Sequence, residues 1–277
     1  MALLTNLWRT NISVYVGVII LGFISIKGHA DTIEFNANDS SPYWSNKMAL
    51  DGMCGEIMHS LSTMIDRDLK IDFQPLKRSM DDDNNNDLGN PEFYIKNQDF
   101  AVIIPIALFQ NSFHYYMPNH QKALQIDSWD DLIGLKVGIL KGGLEEDEFF
   151  TKLGIQFEES YTQESLIKKL KLGRLDVVIE IDLVAKHIIS QLYPDDVDDF
   201  HFIPISDSAT PIAMLIDVNY PNAHQLGEQY REALNIMIED GRYSDIVGKY
   251  YGKTGIPGNW FVTMNKYQRL YRFIEVE

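Results

Sequence analysis

Two aromatic residues and one arginine are the first side chains whose placement suggests work beyond folding. Tyr43 and Trp44 stand in the segment Ser41-Pro42-Tyr43-Trp44. Large aromatic faces stack on planar groups or cover a cation, so the pair can wall a ligand or fill a core. Arg78 closes Phe73-Gln74-Pro75-Leu76-Lys77-Arg78, which reads as a turn from a strand into a helix. Such turns lie at the C-terminal edge of a parallel sheet, where α/β folds place ligands. Arg78 can hold an anion there, with Lys77 as second choice. It can equally be a solvated helix-start residue paired with the acidic run beside it.

That run, Asp81 to Asp87, admits a metal reading. Counting from Asp81, oxygen-bearing side chains fall at positions 1, 3, 5 and 7, and Glu92 at 12, as in a calcium loop. Position 6, however, is Asn86 where the turn needs glycine, and Pro91 stands at 11. A solvated acidic loop is the expectation, and no metal or other cofactor is assigned. Nucleophilic catalysis needs an activated Ser or Cys with a placed His. The 7 His are scattered, and no GxSxG, HExxH or phosphate-binding glycine motif occurs, so no catalytic residues are expected.

The elements that must position these residues alternate. Met53, Ile57, Leu61, Met64 and Ile65 recur at helical spacing between Asp51 and Asp66, and the strand Ile71 to Phe73 follows. Further on come a strand at 136–140, helix at 144–153, strand at 155–157, helix at 165–172 and strand at 175–179. Ser128 to Asp131 fits a capping box, with Gly134 closing the short helix. Leu226, Tyr230, Leu234 and Met237 mark a helix stopped by Gly241, and a second helix runs from about Tyr243 to Tyr251. Two apolar segments break the alternation, 100–117 and 200–216, and read as crossovers between lobes. The rhythm predicts parallel sheets covered by helices.

The first thirty residues carry Arg9, an uncharged apolar run from Val14 to Ile26, and Gly28-His29-Ala30. This is the layout of a secretory signal peptide, and the run is short for a membrane span of ~20 residues. Cleavage after Ala30 removes Arg9 and Lys27. The mature chain then has 22 basic against 40 acidic residues, a charge of −18. Nucleic acid and anionic lipid surfaces are unfavourable partners for such a chain. The single cysteine, Cys54, excludes an internal disulfide and is expected to be buried.

These landmarks fall in the order of a known family. The chain resembles the bacterial extracellular solute-binding proteins of family three, which include amino-acid receptors of ABC importers. The resemblance is carried by Ser41-Pro42-Tyr43, the Gly52-led first helix, SWDDLIGLKVGILKG at 128–142, LIKKLKLGRLDVVI at 166–179 and ALNIMIEDGRYSDIVGKYYG at 233–252. It implies a two-lobed α/β fold of the periplasmic-binding-protein type with two crossover strands as hinge. Residues 31–108 and 214–277 would form one lobe and 109–213 the other. It also implies capture of a small polar solute in the cleft, a periplasmic monomer, and a membrane permease as partner. A sensor role beside a membrane signalling protein, or a cyclohexadienyl-dehydratase-like enzyme, are the alternatives.

The resemblance further implies a carboxylate-binding Arg, but the matching segment reads Asn90-Pro91-Glu92-Phe93, and the Arg is missing. Gly142 and Gly143 keep the glycine loop that would meet an anion without its hydroxyl; turning strand into helix is their other reading. The amine-binding carboxylate implied by the family falls on Ile181, flanked by Glu180 and Asp182. Either acid can serve if the register shifts by one, or both can be solvated loop acids.

Overall fold

The structure, a computed structural model, describes residues 31–75, 78, 85–141, 154–252 and 255–274. The leader, Lys77, the acidic residues from Asp81 to Asp83 with Asn84, and the glycine loop of Gly142 and Gly143 with the helix expected after it lie outside the described residues. No helix among the described residues is long and apolar enough to cross a membrane.

Among the described residues, ten strands form two five-stranded sheets. The first has the order β2-β1-β3-β10-β4, from β1 (Thr32–Ala37), β2 (Asp68–Phe73), β3 (Asp87–Gly89), β4 (Phe100–Phe109) and β10 (Thr210–Asp217). The second has the order β7-β6-β8-β5-β9, from β5 (Asn111–Tyr116), β6 (Lys136–Leu140), β7 (Gln156–Ser160), β8 (Val177–Ile181) and β9 (Phe200–Pro204). In each sheet three strands pair in parallel and two more are added through antiparallel pairing, so that one strand of the five runs against the others. This is a two-lobed α/β fold, and the two apolar segments expected as crossovers run from sheet to sheet, β4 into β5 and β9 into β10.

One side chain fastens the crossovers together. Gln110 sits between β4 and β5, and its amide nitrogen lies 3.1 Å from Asn111 O, 3.0 Å from Ile205 O and 2.9 Å from Ser208 Oγ. Both connections therefore share a hydrogen-bonded seam.

Helices α1 (Gly52–Met64), α4 (Ala223–Glu239), α5 (Arg242–Tyr251) and α6 (Trp260–Ile274) belong with the first sheet, and α2 (Gln163–Lys171) and α3 (Asp182–Leu192) with the second. In α4 the residues Leu226, Tyr230, Leu234 and Met237 are buried as their spacing predicts, each such side chain worth about 1.5–3 kcal/mol. Gly227 lets α4 approach β4, since a Cβ there would stand 2.6 Å from Val102. The tail after Gly258, which suggested no element by itself, forms α6. Its apolar residues Trp260, Met264 and Tyr271 are buried against the first sheet.

Three details locate the ends of elements. The capping box at Ser128 is present, with Ser128 N donating to Asp131 Oδ2 at 2.9 Å. The strand expected at 175–179 begins instead at Val177, because Asp176 Oδ2 accepts from Lys136 N at 2.8 Å and caps the neighbouring strand. Cys54 is buried inside the first lobe.

Candidate ligand site between the two sheets

The loop after β1 turns tightly, with Ser40 N donating to Trp44 O at 2.8 Å and Trp44 N to Ser40 O at 3.0 Å. It then closes over α1: Met53 N donates to Pro42 O and Cys54 N to Tyr43 O, both at 2.9 Å. The first amides of α1 are thereby satisfied within the chain. Gly52 is required at this junction. Its φ is +89°, and a Cβ there would stand 2.6 Å from Pro42 O.

This loop delivers Tyr43 and Trp44 to the interior, where they are 0% and 1% exposed. The Tyr43 ring packs edge-on to Phe109, the last residue of β4, at 4.7 Å. Burial raises its hydroxyl well above the usual tyrosine range, and the neighbouring Tyr251 and Asp182 add to the rise. Tyr251, the last residue of α5, reaches across from the first lobe and donates to Asp182 Oδ1 at 3.3 Å. Asp182 opens α3 in the second lobe and also accepts from Leu183 N at 2.6 Å. Tyr43 and Asp182, chosen separately from the sequence, thus meet through a third residue.

Glu180 and Asp182 are both buried, which a solvated loop acid would not be. Burial pushes the Glu180 carboxyl up to about 7, with the Ile181 N–H and Gln163 opposing it. Its Oε2 has no hydrogen-bond partner among the described residues. Burial pushes Asp182 up to about 6, and the Lys186 ammonium one helical turn away pulls it down. The Lys186 amine is itself lowered by burial, with Asp182 opposing. Trp44 Nε1 and Gln74 Nε2, at the ends of the loop and of β2, are likewise buried without a partner among the described residues. Buried polar atoms are nearly always paired, so unpaired ones beside the ends of parallel strands suit a ligand.

Arg78 lies exposed beyond the end of β2, its N–H donating to Pro75 O at 2.8 Å. Among the described residues, no hydrogen bond or ion pair joins its side chain to the groups just described. Asn86 and Asp87, part of the acidic run, are used in the first sheet: Asn86 Nδ2 donates to Glu34 O, Asp217 N to Asn86 Oδ1, and Asp87 opens β3. No cluster among the described residues could hold a metal ion.

A cavity of about 600 Å³ adjoins the Tyr251–Asp182 contact. The first lobe lines it with Pro42, Met48 and the end of α5. The second lobe lines it with His114 from β5, one face of α3, and Phe200, His201 and Phe202 from β9. His114 is buried under α3 within 3.3 Å of Glu180 O, and burial lowers its ring to about 4, so it is neutral at physiological pH. The Lys186 ammonium lies 4.1 Å above the Phe202 ring and 5.3 Å from that of Tyr251. Sequence reading missed Lys186, Phe202 and Tyr251 as site residues. The spacing of Lys186 from Asp182, four residues on one helix, was a usable signal; the approach of Tyr251 across 69 residues was not.

No protein-family model matches the chain, and no curated protein matches it. Solved structures do match in fold. A probable amino-acid ABC transporter extracellular-binding protein of Bacillus subtilis has a TM-score of 0.61 at 18% identity, covering 80% of this chain and 98% of that one. An ancestral arginine-binding protein bound to arginine has 0.55 at 18%, covering 81% and 100%. A histidine kinase sensor domain with similarity to periplasmic binding proteins has 0.57 at 16%, covering 81% and 97%. At these identities the likeness establishes the two-lobed fold of the periplasmic binding proteins.

Proposed function

We propose that this chain is a periplasmic solute-binding protein of family-three type, which captures a small polar solute, an amino acid or a related molecule, and presents it to an ABC importer. It acts as a monomeric receptor and not as an enzyme, after removal of residues 1–30, with 31–108 and 214–277 as one lobe and 109–213 as the other. The observation that carries this reading is the convergence of buried, chargeable groups from both lobes on one place: Tyr43 and Tyr251 from the first, Asp182 from the second. Groups so placed are desolvated together when lobes close, which is where a captured ligand gains its affinity.

The test is a thermal-shift screen of amino acids, polyamines and organic acids on the mature chain, followed by titration calorimetry. A binder is expected, and Tyr43→Phe and Asp182→Asn should each weaken it at least tenfold. Absence of any binder, together with identical small-angle scattering with and without every solute, overturns the reading. Arg78→Ala, Gly142→Ala and Gly143→Ala separately test whether those three positions touch the ligand. The likeness to a sensor-kinase domain favours one second reading, in which the closed form docks on a membrane signalling protein. Pull-down with the permease against pull-down with a sensor kinase encoded nearby separates the two.

A further inference from the structure

The cavity beside Asp182 differs in charge from the rest of the molecule. The whole chain has 40 acidic residues against 24 basic ones. Yet among the described residues the cavity is lined by Lys186, Lys249, three histidines and one acid, Asp198. Lys249 is paired with Glu56 at 2.9 Å and stands at the rim. Lys186 is the cation inside. Its ammonium faces Asp182 on one side and rests on the Phe202 and Tyr251 rings on the other, and burial outweighs Asp182 in its titration. A cationic ligand entering here would be repelled by this ammonium, and an anionic one attracted to it.

The other half of the lining is aromatic. Phe200 and Phe202 project from alternate positions of β9 onto the face that carries His114, and Tyr250 and Tyr251 close the space from α5. A volume of about 600 Å³ is within the range of small-molecule sites and larger than one substituted ring needs. Ring-on-ring contacts contribute ~0.5–1.5 kcal/mol each beyond their buried area.

Resting on the solute-capture reading above, we infer that the captured solute is a small aromatic carboxylate, its ring against Phe200, Phe202 and Tyr251 and its carboxylate on Lys186. Because α5 comes from the first lobe and α3 and β9 from the second, the same molecule bridges both lobes. Free aromatic acids and aromatic α-amino acids share this chemistry.

Titration calorimetry on the mature chain with benzoate, phenylacetate, L-phenylalanine, benzamide and L-arginine tests it. At least one of the three carboxylates should bind, with benzamide at least tenfold weaker. Lys186→Met, which keeps the length of the side chain, should weaken that carboxylate at least tenfold while circular dichroism shows an unchanged fold. Phe202→Leu should weaken it several-fold. Preference for L-phenylalanine over phenylacetate would assign the solute to the amino acids, and the reverse to the free acids. Equal binding of benzamide, or a Lys186→Met variant with wild-type affinity, overturns the inference. If L-arginine binds and the aromatic acids do not, solute capture stands and the aromatic class falls; if no solute in the wider screen binds, both fall.

Discussion

Aromatic side chains are used differently in the two lobes. In the first, four rings have their polar atoms bonded within the chain: Tyr230 to Ser62 at 2.9 Å, Tyr243 to Ile106 O at 2.8 Å, Trp260 Nε1 to Tyr243 at 3.0 Å and Tyr267 to Ala209 O at 2.9 Å. In the second, rings present a face to a lysine. Lys171 covers Tyr193 at 4.1 Å, Lys186 covers Phe202 at 4.1 Å, and Lys141 covers the exposed Tyr161 at 4.8 Å. A ring bonded at its polar end has one role, to fix the interior. A ring whose face meets a cation uses its quadrupole, which is a means of recognition. These first-lobe rings are therefore scaffold, whereas these second-lobe rings stand beside lysines.

The comparison can be broken most directly at Trp260. Trp260→Ala should cost about 3–5 kcal/mol in urea unfolding, because it removes a fully buried ring and leaves the Tyr243 hydroxyl short of one bond. A loss under ~1 kcal/mol would mean that α6 is not part of the scaffold.

A second test concerns charge buried in the second lobe. The Glu180 carboxyl has a folded pKa of about 7 against an ordinary 4.5, so the folded state holds a proton that the unfolded chain releases. Stability is then highest below about pH 4.5 and falls as pH rises through about 7, by on the order of 3 kcal/mol in all. Glu180→Gln should lack this slope and be the more stable protein at pH 8. His114, lowered to about 4, has the opposite effect between about pH 4 and 6.5, and is common to both proteins, so it cancels in their difference. Parallel pH–stability curves for the two proteins would refute the burial of Glu180.

The smallest effect is expected at Phe202, half-buried on β9. Phe202→Ala should cost about 1 kcal/mol of stability by denaturant titration, well below Trp260→Ala. Equal costs would erase the distinction between the lobes.

Much of this arrangement was legible in the sequence. The 3.6-residue spacing of Leu226 to Met237, the capping box at Ser128 and the Pro-interrupted crossovers depend on local chemistry, and the structure contains all three. Helix α6 followed the same rule, with Trp260, Met264 and Tyr271 at 0, +4 and +11, and its aromatic, mixed-charge composition hid the period. Tyr43 and Asp182 were found one at a time. Tyr251 was not, because its contact with Asp182 depends on how two lobes meet, which no local pattern encodes. The start of β8 was missed by two residues because Asp176 hydrogen-bonds sideways to the next strand, a tertiary contact that outweighs the propensity of Leu175.

The seam at Gln110 also limits how the two sheets can move. One amide ties the start of β5 to the segment that follows β9, so twisting one connection without the other would tear its hydrogen bonds to Ile205 and Ser208. The cheapest relative motion is one that both connections share, a rotation about a single axis. Under the proposed capture of a solute, one angle would then separate the open form from the closed one.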